Sequence, residues 1–130
     1  MRWFTQATDE FRDADELRER GRFYLALFHF QQAAEKALKA YLLFKVESVQ
    51  VYYTHSLDEL IRLAIESDGE FGNIAAAKKL DQYYIPTRYP NGLPGGVPSR
   101  YYDDPAEAEQ AMRLAKNLIE LVREKIEAEP

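Results

Sequence analysis

From Gly21 to Phe44 the chain reads GRFYLALFHFQQAAEKALKAYLLF, with apolar side chains every three or four residues at Phe23, Leu27, Phe30, Ala34, Ala37, Tyr41 and Phe44. That is the period of one helical face sustained over about six turns, which a strand cannot keep. A second apolar set, Ala26, Phe28, Ala33, Leu38, Ala40 and Leu42, covers much of the remaining circumference. A helix apolar on most sides is one that other helices surround. The pattern therefore predicts a helix over 22–46 at the centre of a bundle.

The flanking segments supply the neighbours. A first helix is expected behind Thr5 as N-cap, with Asp9 and Glu10 near its positive end and a stripe of Phe4, Ala7, Phe11, Ala14 and Leu17. Gly21 ends it, as glycine does at helix C-termini. Ser56-Leu-Asp-Glu59 is a capping box ahead of Leu60, Ile61 and Ala64, and opens a third helix. Gly69 and Gly72 bracket a break, after which a shorter helix is predicted over 73–84 with Ile74, Ala77, Leu80 and Tyr84 inward. In the last helix Asp104 is the N-cap, Pro105 takes the first helical position and Glu107 completes the box. Its stripe runs through Ala108, Ala111, Ala115, Leu118, Val122 and Ile126. No stretch alternates with period two for long, and short links favour antiparallel neighbours. The fold class is all-α: an up-and-down bundle of four to five helices in a single domain over 1–130.

One connection breaks this economy. From Ile85 to Asp103 it holds Pro86, Pro90, Pro94 and Pro98 together with Gly92, Gly95 and Gly96. Loops beyond about 12–15 residues without structure are uncommon in compact domains. Tyr83-Tyr84 and Tyr101-Tyr102 flank it, and it carries Arg88-Tyr89. So aromatic a segment reads as an ordered flap anchored by its tyrosines, with Arg88 turned inward toward Lys36 and Lys39.

Charge gives the candidate site. At about 100° per residue, Arg22, His29, Gln32, Lys36 and Lys39 fall within one arc of the central helix. This seam is either its solvated edge or a binding face. The net charge is −5, yet residues 20–45 carry +4 and residues 78–100 carry +3 on an otherwise acidic chain. Together the two basic segments would make a local positive field. The candidate ligand-binding residues are therefore His29, Gln32, Lys36, Lys39, Tyr84, Arg88, Tyr89 and Arg100. Lysine and arginine would meet phosphate or acidic side chains, and the tyrosines would offer ring faces.

Other chemistry finds little footing. There is no cysteine and only two histidines, His29 and His55, so neither a disulfide framework nor a structural zinc has its ligands. No metal and no cofactor are expected. No apolar run approaches a membrane span and the start is no signal peptide, so the chain reads as soluble and cytoplasmic. Asp13, Asp15 and Glu16 read as solvated, and Asp103-Asp104 as helix capping. Gly92-Leu-Pro-Gly95-Gly96 lacks the lysine and helix start of a phosphate loop. His55, just before a capping serine, reads as a turn residue.

Three patches carry a resemblance: Gln31-Gln32-Ala-Ala-Glu35-Lys36-Ala-Leu-Lys39-Ala, then Thr54-His55-Ser56-Leu57, then Tyr84-Ile-Pro-Thr-Arg88-Tyr-Pro90. In this order, spanning about residues 4–122, the chain resembles the HEPN domain, the helical partner of minimal nucleotidyltransferases in prokaryotes. The resemblance implies a bundle of four or five helices that forms a homodimer or a higher homo-oligomer. It also implies membership of toxin–antitoxin or defence pairs, or nucleotide binding beside a nucleotidyltransferase. Many such proteins are metal-independent ribonucleases marked by an arginine and, four to six residues later, a histidine near the start of a late helix. Here no histidine follows His55, and the spaced pair Arg22 and His29 lies on the early central helix. The expectation is thus a non-catalytic module binding a nucleotide or a nucleotidyltransferase partner, with catalysis expected to be absent. An RNA endonuclease and a purely structural dimerisation module are the alternatives.

Overall fold

Two long helices, α1 (Arg2–Glu19) and α2 (Phe23–Lys45), meet at Gly21. Gly21 has φ +77°, its N–H donates to the Arg18 carbonyl at 3.0 Å, and the next N–H, of Arg22, reaches the Leu17 carbonyl at 2.9 Å. This is the left-handed close of a helix that glycine makes without steric cost. At the other end α1 begins earlier than expected. Thr5 is not its N-cap: the Thr5 N–H already donates to the Met1 carbonyl at 3.0 Å, one turn into the helix. The reason is packing. Trp3 meets the Tyr52 ring at 6.2 Å and Phe4 lies under the Arg123 guanidinium at 5.2 Å, so the apolar stripe extends a turn further back.

The computed structural model describes residues 1–47, 49–93 and 96–128, so Pro94 and Gly95 of the expected flap lie outside the described residues. After α2 come a 3-10 turn, Val49–Tyr52, and α3 (Leu57–Ser67). Half of the predicted capping box forms: the Ser56 hydroxyl accepts from the Glu59 N–H at 3.2 Å, but the Ser56 N–H donates to the Thr54 hydroxyl at 3.1 Å, and that hydroxyl donates to the Glu59 carboxylate at 3.0 Å. Then comes a long 3-10 helix, Gly69–Tyr83, where an α-helix over 73–84 was expected. The inward residues explain it. Phe71, Ile74, Ala77, Leu80 and Tyr83 are all buried and all three apart, the repeat of a 3-10 turn rather than an α-turn. Tyr83 is therefore the tyrosine in the core, and Tyr84 is only half-buried. Ile74 (φ −113°, ψ 18°) lies outside helical φ/ψ and breaks the run in two.

The flap has structure of its own: a 3-10 turn at Pro90–Gly92 and the short helix α4 (Pro98–Tyr101). Gly92 suits this turn, since a side chain on it would press to 3.1 Å against the Pro86 Cα. Thr87, Leu93, Pro98 and Tyr102 are buried beneath the flap, and the Tyr102 ring meets Tyr83 edge-on at 5.9 Å. The last helix, α5 (Pro105–Glu127), starts at the predicted N-cap, the Asp104 carboxylate accepting from the Ala106 N–H at 2.9 Å, but Glu107 accepts from the Tyr83 hydroxyl at 2.6 Å instead of completing a capping box. Helix α2 packs against α1, α3, α5 and the long 3-10 helix, and is enclosed by them. The fold is all-α, with no strand among the described residues. No helix among them is long and apolar enough to cross a membrane.

Candidate functional site

Gln31, Glu35 and Lys39 stand one turn apart on α2 and are 0%, 2% and 3% exposed. Buried polar groups at this depth must find partners inside the protein. Glu35 accepts from Lys39 Nζ at 2.8 Å and from His55 Nδ1 at 3.1 Å. Gln31 Nε2 donates to the His55 carbonyl at 3.1 Å and to Asp81 Oδ1 at 3.3 Å. Asp81 sits at the start of α3 and accepts from the Leu57 and Asp58 N–H groups at 2.8 and 3.1 Å. A carboxylate on the 3-10 helix thus caps α3, and a glutamine on α2 ties the two together.

A second centre lies where α1 meets α2. Glu10, buried in its helix, accepts from His29 Nδ1 at 2.7 Å and from Lys36 Nζ at 2.5 Å. Burial pushes the Glu10 carboxyl up, but the hydrogen bonds and charges of His29 and Lys36 outweigh it and hold the group below its ordinary value.

The third centre is aromatic and open. The Arg88 guanidinium lies 4.5 Å from the Tyr84 ring centroid, 5.0 Å from Phe28 and 5.1 Å from Tyr89. Its Nε donates to the Tyr84 carbonyl at 2.8 Å, so the fork is fixed although the side chain is exposed. No described carboxylate pairs with it. On the same Tyr84 ring the His55 imidazole stacks at 5.3 Å and 17°. His55, Ser56, Asp81 and Tyr84 line an open cleft of about 310 Å³. A larger hollow of about 510 Å³ between α1 and α5 holds none of the predicted residues; its charged lining mixes acids (Asp15, Glu16, Glu19, Glu120) with bases (Arg12, Lys116, Arg123).

The predicted site residues therefore separate into groups. Tyr84, Arg88 and Tyr89 come together. His29 and Lys36 are joined through Glu10. Gln32 donates to Gln31 Oε1 at 2.7 Å and Lys39 is buried against Glu35, so the seam is not a solvated edge. Lys36 and Lys39 face carboxylates of their own chain. Arg88 is not turned inward to Lys36 and Lys39 but lies outward against its rings. Arg100, exposed on α4, makes no side-chain contact with the others among the described residues. Arg22, at the N-cap of α2, has no part in the His29 centre. Sequence reasoning missed Glu10, Phe28, Glu35 and Asp81 as partners, and His55 is more than a turn residue. One signal was present: with Gln31 and Glu35 added, half the circumference of an enclosed helix is polar, which demands internal partners.

The HEPN domain model matches residues 1–125. Among solved structures the chain is similar to TT1696 from Thermus thermophilus, at 37% identity over 95% of this chain and 94% of that one, with a TM-score of 0.79. It is likewise similar to ST0689, described as an archaeal HEPN homologue, at 29% identity over the same shares of the two chains and a TM-score of 0.76. No curated protein matches.

Proposed function

The chain belongs to the HEPN domain family, and we propose that it is a non-catalytic binding module whose ligand is a nucleotide, held at the Arg88 corner. The observation that carries this is the Arg88 guanidinium, fixed against three rings, exposed, and without a carboxylate among the described residues. A positioned guanidinium presents parallel N–H donors that fit a phosphate. Tyr89, half exposed beside it, offers a ring for a base or ribose. His29, Gln32, Lys36 and Lys39 hold the bundle together in this reading and do not touch the ligand. The module works as a homodimer, alone or beside a nucleotidyltransferase of a toxin–antitoxin or defence pair.

Thermal denaturation with mono-, di- and trinucleotides tests it. A nucleotide at a hundred times its dissociation constant stabilises the fold by about 2.7 kcal/mol. Arg88→Ala is expected to abolish that shift and leave the unliganded melting temperature within a few degrees of wild type, since Arg88 buries nothing in the core. A shift that survives in Arg88→Ala, or no shift with any nucleotide, overturns the assignment.

A further inference from the structure

We propose that His55 sets the charge preference of this site: it takes up a proton as a phosphate monoester binds and so favours monoesters over diesters. The inference rests on the Arg88 corner being a phosphate site.

His55 is held from behind. Its Nδ1 donates to the buried Glu35, and the ring lies flat on Tyr84. The side chain is 55% exposed in the cleft, so Nε2 is the nitrogen left for a ligand. Both His55 and Arg88 lie against the one Tyr84 ring, 5.3 Å and 4.5 Å from its centroid. A phosphate bound at the edge of this shared ring would meet the Arg88 fork on one side and Nε2 on the other.

The charges around His55 decide the rest. Helix α2 presents Glu35 and Lys39, the long 3-10 helix presents Asp81, and the segment behind Tyr84 presents Arg88. Those four cancel. Helix α3 adds Glu59, exposed and held by the Thr54 hydroxyl. Asp81 does not repel an anion at full strength, because the N–H groups of Leu57 and Asp58 and the Gln31 amide already donate to it. With His55 neutral these charges sum to −1, which opposes a dianion more than a monoanion. With His55 protonated they sum to zero, and the second charge of a monoester is no longer opposed. The added proton goes on Nε2, facing the ligand, while the Glu35 carboxylate keeps the Nδ1–H bond and steadies the charged ring, and proton and ligand then favour each other reciprocally.

The test uses AMP as monoester and 3′,5′-cyclic AMP as diester, with the intact chain. Only two histidines are present, so their imidazole signals can be followed separately by NMR and told apart with His55→Gln. Saturating AMP is expected to move the His55 titration midpoint to higher pH and leave that of His29 in place, whereas cyclic AMP moves neither. Calorimetry should show AMP affinity, relative to His55→Gln at the same pH, rising on the order of tenfold from about pH 8 to about pH 5.5, the size usual for coupled equilibria. The ratio removes the titration of AMP itself. If AMP binds in an Arg88-dependent way while the His55 midpoint stays fixed, the inference falls and the nucleotide site stands. If AMP and the other nucleotides do not bind at all, both fall.

Discussion

Glu10 shows what a single residue does here. It is one carboxylate serving two basic groups across the α1–α2 contact, and neither His29 nor Lys36 has another described carboxylate partner. Removing its charge leaves two half-buried donors facing an amide. Glu10→Gln is expected to cost about 1–3 kcal/mol at neutral pH, the range for breaking a charge-assisted pair with the partner left behind. The pH dependence gives a second check. Because the folded carboxyl lies below its ordinary value, the native state holds fewer protons than the unfolded chain in the carboxylate range. The contribution is whole above that range and is lost as pH falls through the folded value. Urea titrations of wild type and Glu10→Gln should therefore converge on acidification. A gap that stays constant with pH would show that shape, not charge, is what Gln fails to supply.

At the scale of elements, the link between α3 and the long 3-10 helix is Asp81 rather than apolar packing alone. The Ser56 cap was legible because its spacing is local, but the carboxylate that covers the Leu57 and Asp58 N–H groups comes from 23 or 24 residues further on. Nothing in a local pattern announces such a partner. The 3-10 geometry was partly legible: Phe71, Ile74, Ala77, Leu80 and Tyr83 repeat strictly every three residues, without the four-residue step an α-helix needs. Reading Tyr84 instead of Tyr83 as inward hid that period. The long helices, by contrast, declared themselves by periodicity and by Gly21 and Asp104. The candidate site was half legible, because Arg88 with Tyr84 and Tyr89 is contiguous, whereas Glu10 and His55 reach α2 from distant parts of the chain. Asp81→Ala uncovers two backbone donors at a helix start and removes one of the acceptors of the buried Gln31 amide, which keeps the His55 carbonyl. It is expected to cost about 2–4 kcal/mol, more than loss of an ordinary cap. Amide exchange should quicken first at Leu57 and Asp58; uniform quickening across the bundle would argue that Asp81 holds no particular junction.

For the whole molecule, the expected pairing through the long helices meets a geometric limit. Helix α2 is enclosed over its middle, its N-terminal third is partly exposed, and its C-terminal end is the most open. There the surface turns apolar: Met1, Phe44, Val46 and Tyr52 are exposed, and Tyr53 is 86% exposed. Met1, Trp3, Leu43 and Phe44 line one shallow hollow, and Tyr52 meets Trp3 beside it. An apolar group of this kind on a chain of net charge −5 sets two forces against each other. Burial of apolar area draws two copies together, and like net charge drives them apart. Salt screens the second force and leaves the first, so homodimer affinity should rise with ionic strength, the reverse of an interface built on ion pairs. Phe44→Glu separates this surface from any other. The side chain is exposed, so stability should stay within about 0.5 kcal/mol of wild type. The added carboxylate would meet its own copy across a two-fold interface. Sedimentation velocity is expected to show a salt-strengthened dimer for wild type and a monomer for Phe44→Glu with an unchanged melting temperature. A dimer that persists in the variant, or one that dissociates as salt is added, would place the interface elsewhere.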